Sequence, residues 1–359
     1  MKKLLPLFAG FILSSLLTRS QGCIAVRNIN GFGQYNLTDN AFSTSKWQLD
    51  LTNRYFRSSR DFKEAADLKT PPQNATINEV VTFDMVLSRL LNNGWSMALN
   101  LPITDNTRTS TGEHGGPNTP RHATRSFGSG DLRFTVYKWL RLPAPDQKWN
   151  IQLGLGLKLA TGAYNYQDYF YRNDSTKVLS AVNPSIQLGD GGTGIITEID
   201  FFTTLSKTFT FYGDFYYLIS PRDENGTLYT AGRTPTTLQI ATDGINNSVP
   251  DAFSLHAGIY INMSRLSFSA AVRDEGSPVY DLVGGSDGIR RAGHYLSVEP
   301  GIIYKMKNIT LYTYAPIIAD RKIEQNVPDK KATAMTGIYT VGAGSSANYE
   351  LFAGVSLRF

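Results

Sequence analysis

The chain has 359 residues, a formal net charge of +5 at pH 7, 19 Tyr, 19 Phe and a single Cys. So small an excess of positive charge indicates no nucleic-acid partner, and one cysteine excludes both an intramolecular disulfide framework and a thiolate metal cluster. Beyond the N-terminal segment, no apolar stretch reaches the roughly 18 residues that a membrane-spanning helix needs.

The N-terminal segment is typical of a secretory signal peptide. Two lysines precede an apolar run over residues 4–17, and small polar residues follow it, so we predict that residues 1–22 are removed. Cys23 would then come first and could be lipidated. The alternative is a free or removed cysteine, because Ser20 stands where a lipidation signal carries Leu. Residues 23–44 are predicted to form a short periplasmic or plug-like segment.

Period-two alternation of apolar and polar residues begins near Trp47 and recurs to the last residue. It gives a strand one face for hydrocarbon and one for a polar interior, as a transmembrane β-strand requires. The segments that show it are residues 47–55, 77–88, 95–103, 132–136, 151–159, 195–205, 209–219, 253–261, 266–272, 294–304, 309–317 and 349–359. In the last segment Phe352 is an exception, an aromatic residue on the polar side.

The connections between these segments alternate between long and short, as they do in outer-membrane barrels. Backbone groups in hydrocarbon must be paired within the protein, and a sheet achieves this by closing on itself. We therefore predict an all-β fold for residues 45–359. It is a transmembrane antiparallel β-barrel of twelve strands in the outer membrane, with the N and C termini in the periplasm. Its partners would be outer-membrane lipids and, through the terminal Phe359, the barrel assembly machinery.

The four tryptophans fall at ends of predicted strands on the short-turn side. They are Trp47, Trp95, Trp139 and Trp149. Amphipathic rings prefer the membrane interface. Arg89 and Lys138 lie on outward positions near the same rim, where long side chains reach lipid headgroups. We expect all four rings at one interface.

Four stretches of the chain carry a resemblance to a known family. They are Gly128-Ser129-Gly130-Asp131-Leu132, Leu155 to Lys158 running into Thr161-Gly162, Ile186-Gln187-Leu188-Gly189-Asp190-Gly191, and Gly284-Gly285-Ser286-Asp287-Gly288 with Arg290, Arg291, Gly293 and Leu296 to Gly301. Over residues 80–359 the chain resembles the outer-membrane proteins named after the meta pathway of phenol degradation. It departs at Ala160, where that family is expected to have proline. The resemblance implies a barrel for uptake of hydrophobic or aromatic compounds, and no catalytic residue.

Charged residues of both signs occupy inward positions of the predicted strands. The lumen-lining candidates are Asp84, Arg133, Lys158, Glu198, Asp200, Asp214, Arg273, Glu299 and Glu350, with Arg358 at the end of the chain. They could line a selective pore, or they could pair across the interior and seal it. The sequence leaves both interpretations open.

One long connection is rich in aromatic residues. Its members are Tyr164, Tyr166, Tyr169, Phe170 and Tyr171. Exposed aromatics in a loop could capture an apolar ligand. They could equally rest on the outer leaflet or fold over the mouth of the barrel.

The sequence gives little sign of catalysis or metal binding. Ser254 and His256 share an inward face, and outward His294 has no accompanying serine motif, so we predict no enzyme. The loop residues that could bind a metal are Glu113, His114 and His122. Their spacing is irregular, and we predict neither a metal site nor a cofactor.

These patterns together predict an outer-membrane channel or transporter for small molecules, hydrophobic or aromatic ones among them. The alternative is a closed structural or adhesive barrel without transport. An outer-membrane lipid hydrolase is the least favoured hypothesis.

Overall fold

The computed structural model describes residues 45–116, 119–144, 147–173 and 175–359. The predicted signal peptide, the predicted lipidation of Cys23 and the whole of the predicted segment 23–44 lie outside the described residues. The strands are β1 (Trp47–Lys63), β2 (Ala66–Asp67), β3 (Ile77–Leu90), β4 (Trp95–Ser110), β5 (His122–Ser129), β6 (Leu132–Trp139), β7 (Trp149–Leu159), β8 (Gln167–Tyr171), β9 (Lys177–Ala181), β10 (Gly194–Thr204), β11 (Phe209–Ile219), β12 (Glu224–Leu228), β13 (Asn246–Ser248), β14 (Ala252–Met263), β15 (Leu266–Ser277), β16 (Gly293–Lys305), β17 (Ile309–Tyr314), β18 (Ile317–Ile323) and β19 (Ala343–Arg358).

Helices are few and short in the described part of the chain. There are two 3-10 turns, Asn92–Gly94 and Pro184–Ile186, and two α-helices, α1 (Thr237–Ala241) and α2 (Val327–Thr336). None of them has the length and apolar character needed to cross a bilayer.

Twelve antiparallel barrel strands form one closed sheet, as the sequence predicts. Two of the twelve consist of two segments each, β5 followed by β6 and β17 followed by β18. Around the barrel the order is β1, β3, β4, β5/β6, β7, β10, β11, β14, β15, β16, β17/β18 and β19. The sheet closes where β19 pairs with β1, with Leu51 opposite Val355 and Gln48 opposite Arg358. Closure pairs the backbone groups that an open edge would leave exposed to hydrocarbon.

Two of the twelve barrel strands are interrupted. β5 and β6 both pair with β4 and are separated by Gly130 and Asp131. β17 and β18 are separated by Ala315 and Pro316, because proline has no N–H to give to the ladder. The sequence pattern predicts β6 but stops short of β5, whose inner face carries Thr124 and Ser126.

All short connections lie at one end of the barrel, which we call the turn end. The hairpin between β3 and β4 turns through Asn93 and Gly94, both with positive φ (59° and 73°), a backbone conformation that an Asn-Gly pair favours. The first and last barrel strands also end here, where Trp47 and Phe359 exchange two backbone hydrogen bonds of 3.0 Å. The opposite end, which we call the loop end, carries the long connections with β8, β9, β12, β13, α1 and α2.

The outer wall of the barrel is apolar. Large side chains exposed there include Val81, Phe83, Leu99, Phe134, Leu153, Leu155, Leu157, Ile199, Val272, Val298, Ile302 and Leu311. They alternate with buried inward residues along each strand, which is the pattern of a wall that faces lipid.

Three of the four tryptophans lie at the outer rim of the turn end. Arg89 lies 5.1 Å from the Trp47 ring, Lys138 lies 5.0 Å from Trp95, and Arg141 lies 3.7 Å from Trp149. The expectation for Trp139 is wrong. This ring is 2% exposed and points into the barrel, because its position on β6 has inward parity.

Candidate functional site

The lumen near the turn end is filled by a cluster of mostly aromatic side chains, which we call the aromatic layer. Its buried members are Trp139, Phe202, Tyr212, Tyr260, Ala271, Ile303, Tyr312, Tyr314 and Phe352. Tyr212 stacks on Tyr260 with ring centroids 4.1 Å apart, and Tyr314 stacks on Phe352 at 4.4 Å. Side chains that line an aqueous pore stay accessible to water, whereas these are at most 8% exposed. The lumen is therefore closed at this level.

Sequence reasoning missed the aromatic layer, although a signal for it was present. Phe352 interrupts the polar side of the last strand, and Tyr312 and Tyr314 also have inward parity. Aromatic residues on the polar face of several strands indicate a filled lumen rather than a water-filled one.

A network of charged side chains lies in the lumen on the loop side of the aromatic layer, and we call it the ion-pair belt. His256 lies between two carboxylates, 2.9 Å from Asp214 and 3.2 Å from Glu299. Arg273 binds Glu299 at 2.7 Å and lies 3.6 Å from Glu275. These groups come from four neighbouring strands, β11 and β14 to β16. A buried charge needs such a partner, because removing it from water is costly.

All nine predicted lumen-lining residues lie on inward positions of barrel strands. Asp214, Arg273 and Glu299 belong to the ion-pair belt. Glu198 accepts a 2.9 Å hydrogen bond from the hydroxyl of Tyr137. That ring fits because the inward residue beside it is Gly154, where a Cβ would lie 2.8 Å from the Tyr137 ring.

The remaining predicted lumen residues are distributed along the barrel. Asp84 and Asp200 are buried on β3 and β10, and Glu350 is buried on β19. Arg133 and Lys158 lie nearer the loop end, in the wall of a cavity. A role for these residues in a transport path stays a prediction.

The cavity lies inside the loop half of the barrel and has a volume of about 310 Å³. We call it the loop-end cavity. Inward side chains of the barrel strands and residues of the long connections line it together. Its wall combines charged residues such as Arg133 and Asp251 with apolar ones such as Leu218 and Ile289. A space of this size and mixed lining is suited to a small molecule.

Residues from three stretches of the family resemblance meet at the edge of this cavity. Lys158 Nζ pairs with Asp190 and lies 3.6 Å from Asp131. Asp131 also accepts a 2.9 Å hydrogen bond from the backbone of Gly162. A Cβ at Gly189 would lie 2.6 Å from the Asp131 carboxylate, so only glycine fits there. The motif residues thus hold the loop between β7 and β10 against the barrel wall.

Three of the long connections are joined through Glu113. Its carboxylate receives hydrogen bonds of 2.8 to 3.0 Å from Arg108, one of 2.9 Å from Asn183, and another from the Tyr229 hydroxyl. Burial alone would raise the pKa of Glu113, but these donors outweigh burial and lower the pKa to about 2. We call the joined connections the loop cap.

His114 and His122 take part in the same loop cap. His114 Nδ1 accepts a 3.0 Å hydrogen bond from the backbone of Tyr171, whose ring stacks on His122 at 4.2 Å. Burial lowers the pKa of His114 to about 4, so the imidazole is neutral near pH 7. Because the Glu113 carboxylate faces Arg108, the three candidate ligands do not assemble. Among the described residues no group of three His, Cys, Asp or Glu side chains could hold a metal.

The five aromatic residues of the predicted capture loop do not form one exposed surface. Phe170 is 0% exposed and stacks on His114, and Tyr171 packs on His122. Tyr169 is 42% exposed, beside Lys177, while Tyr164 and Tyr166 are partly buried. These contacts place the segment within the loop cap, and ligand capture by it stays a prediction.

The candidate hydrolase residues are engaged in the barrel interior or at its rim. Ser254 and His256 are buried and inward, and both ring nitrogens of His256 face the carboxylates of the ion-pair belt. His294 pairs with Asp274 at 2.9 Å near the loop end.

One solved outer-membrane channel shares this fold. An outer membrane channel from Pseudomonas putida F1 is similar with a TM-score of 0.58 and 8% identity, over 88% of this chain and 96% of that one. A FadL homologue from Pseudomonas aeruginosa has a TM-score of 0.43 and 7% identity, covering 95% and 99% of the two chains. The Ralstonia pickettii toluene transporter TbuX has a TM-score of 0.42 and 8% identity, covering 96% and 100%.

No protein-family model and no curated protein sequence matches the chain. At 8% identity the likeness to the Pseudomonas putida channel concerns the fold alone. The chain has the fold of an outer-membrane β-barrel, with an apolar outer wall and a lumen divided into a cavity, an ion-pair belt and an aromatic layer.

Proposed function

We propose that the protein is an outer-membrane channel or transporter for small molecules, hydrophobic or aromatic ones among them. The loop end faces the cell exterior and the turn end, with both chain termini, faces the periplasm. The observation that carries the proposal is the loop-end cavity of about 310 Å³ inside a closed barrel. The fold shared with the Pseudomonas putida channel and the motifs of the meta-pathway family support it.

In this proposal the aromatic layer is the gate. It lies between the loop-end cavity and the periplasm, and apolar constrictions block ions by excluding water. A substrate held in the cavity would cross once rings such as Tyr314 and Phe352 move apart. Their stacking involves dispersion contacts and no covalent link, so their rearrangement is compatible with an intact barrel.

Conductance in planar bilayers tests the gate. Purified protein should give rare, brief openings, because the aromatic layer closes the lumen. Phe352→Ala removes one stacked ring and should give frequent, larger single-channel steps. Phe83→Ala is the matched control, because Phe83 is 38% exposed on the outer wall. Correctly folded Phe352→Ala protein that stays as silent as the control would contradict the gate.

A closed structural or adhesive barrel is the second candidate, and the buried aromatic layer favours it. Under this function the protein would stay silent with every variant and every solute. An enzyme is not supported, because His256 is held by two buried carboxylates. Phospholipid hydrolysis that is lost in both Ser254→Ala and His256→Ala would revive the hydrolase hypothesis.

We also propose that Phe359 is recognised by the barrel assembly machinery. The residue directly follows β19 and is 64% exposed. Phe359→Ser should therefore lower the amount of folded barrel in the outer membrane of cells. Refolding of the same variant in detergent should stay normal, because its backbone bonds to Trp47 do not need the ring.

A further inference from the structure

The wall of the loop-end cavity contains buried polar atoms that have no partner among the described residues. Both side-chain amide atoms of Asn247 are of this kind, and so are the Tyr216 hydroxyl and the Nε of Arg133. Asn247 is 2% exposed and Tyr216 is 1% exposed. A buried polar atom left without a partner destabilises a fold, so each such group requires an explanation. A ligand in the cavity supplies one.

The acidic residues of this wall already accept hydrogen bonds from the protein. Asp131 and Asp190 share Lys158. Asp251 accepts from the Tyr217 hydroxyl at 3.0 Å and from two backbone N–H groups at 2.7 and 2.9 Å. The wall therefore leaves few free acceptors for the donors of a ligand.

The four arginines of the wall divide into two groups. Arg108 is bound by Glu113, and Arg290 makes two hydrogen bonds of 2.6 Å to Asp281. Arg133 and Arg291 also line the cavity. Within the described parts of the chain, neither of them has a hydrogen bond or an ion pair within 4.0 Å. The donors that remain available are two guanidinium groups, a tyrosine hydroxyl and an amide.

We propose that the loop-end cavity binds a small carboxylate with an apolar body, such as an aromatic monocarboxylate. Arg133, Tyr216 and Asn247 bind the carboxylate, because its two oxygens accept from guanidinium, hydroxyl and amide donors. Pro102, Leu218 and Ile289 of the same wall contact the apolar body. This inference rests on the proposed transport function and narrows its substrate class.

Calorimetric titration of the folded protein in detergent tests the site without requiring transport. The probe is benzoate, and benzyl alcohol is the comparison ligand, because it keeps the ring and lacks the charge. Benzoate should bind saturably and benzyl alcohol at least about tenfold more weakly, since charge-assisted hydrogen bonds are the stronger class. If the cavity holds only water, neither compound should give saturable heat, and that result would overturn the proposal.

Variants of the wall locate the binding. Arg133→Gln should weaken benzoate at least about tenfold and leave benzyl alcohol unchanged, because it removes the guanidinium charge. Arg125→Gln is the matched control, as that arginine is exposed on β5. Tyr216→Phe decides the matter if Arg133→Gln does not fold, and it should weaken benzoate by a smaller factor. Unchanged benzoate affinity in the folded wall variants would disprove the site.

The calorimetric titration and the bilayer recording test the binding site and the channel independently. Saturable benzoate binding by a barrel that remains silent in bilayers would refute the channel and retain the site. Conductance without benzoate binding would retain the channel and refute the site.

Discussion

The two halves of the lumen differ in how completely side chains fill them. The turn half is filled by the stacked rings of the aromatic layer, and the ion-pair belt lies directly above it. The loop half leaves a cavity of about 310 Å³ whose wall retains unpartnered polar atoms at Asn247 and Tyr216. The same alternating strands build both halves. The difference shows that the period-two pattern fixes which residues face inward and leaves open what they do there.

Loss of Arg273 should have the largest effect on stability, because it would leave Glu299 and Glu275 buried with one cation fewer. Arg273→Ala should cost about 3–5 kcal/mol of unfolding free energy, as breaking buried pairs does. Urea titration of the barrel in lipid vesicles would measure the loss. Arg57→Ala is the control, since its exposed pair with Glu79 should be worth at most about 1 kcal/mol. Equal losses would mean that the belt is no more important than a surface pair.

In the loop half, removal of the Tyr229 hydroxyl is the counterpart of the Arg273 variant. Tyr229→Phe removes a hydrogen bond to the buried Glu113 carboxylate and should cost about 1.5–3 kcal/mol, the range for bonds to charged groups. Tyr339→Phe is the matched control, because its 2.6 Å bond to Glu64 is exposed and water replaces it. Hydrogen exchange over the loops should quicken in the first variant and stay unchanged in the second. Similar exchange in both would show that the loop cap is not held through Glu113.

Acid should open the loop cap as His114 takes up a proton. The pKa of His114 falls from an ordinary 6.5 to about 4, because burial disfavours the charged ring. The stabilisation that the neutral His114 imidazole provides is therefore complete above pH 6.5 and is lost as the pH falls toward 4. The free energy of unfolding falls by at most about 1.4 kcal/mol for each pH unit in this range. The Glu113 contribution is lost at lower pH, between 4.5 and about 2.

Hydrogen exchange of the backbone amides in the loop cap, corrected for the intrinsic pH dependence, would follow this acid opening. Glutamine cannot take up a proton, so in His114→Gln the exchange of these amides should no longer depend on pH between 6.5 and 4. A wild-type cap equally protected at pH 7 and pH 4 would contradict the assignment to His114.

The smallest effect is expected at the outer rim of the turn end. Lys138 lies 5.0 Å from the Trp95 ring, and an exposed cation–π contact contributes about 0.5–1 kcal/mol. Lys138→Met should lower the unfolding free energy by that amount and leave conductance unchanged, because both side chains face outward. Trp95 fluorescence during urea unfolding would report it. A change in conductance would mean that the rim and the aromatic layer are coupled.

Much of the fold could be predicted from the sequence, and less of the candidate site. The short turn at Asn93 and Gly94 and the alternation in β7 and β19 are local features, and the barrel and its strand number follow from them. The inward direction of Asp214 and Glu299 was predicted in the same way. The nearness of Trp139 to a turn suggests a ring at the membrane interface, whereas its parity on β6 points it inward.

Sequence alone determined which side of each strand faces lipid, since side chains alternate with period two whatever their neighbours are. Only the tertiary structure decided which inward residues meet. Asp214 reaches His256, and Glu113 reaches Tyr229, across 42 and 116 residues of chain. Such pairs depend on strand register, barrel tilt and the folding of long connections over the mouth, and none of these is encoded within one segment.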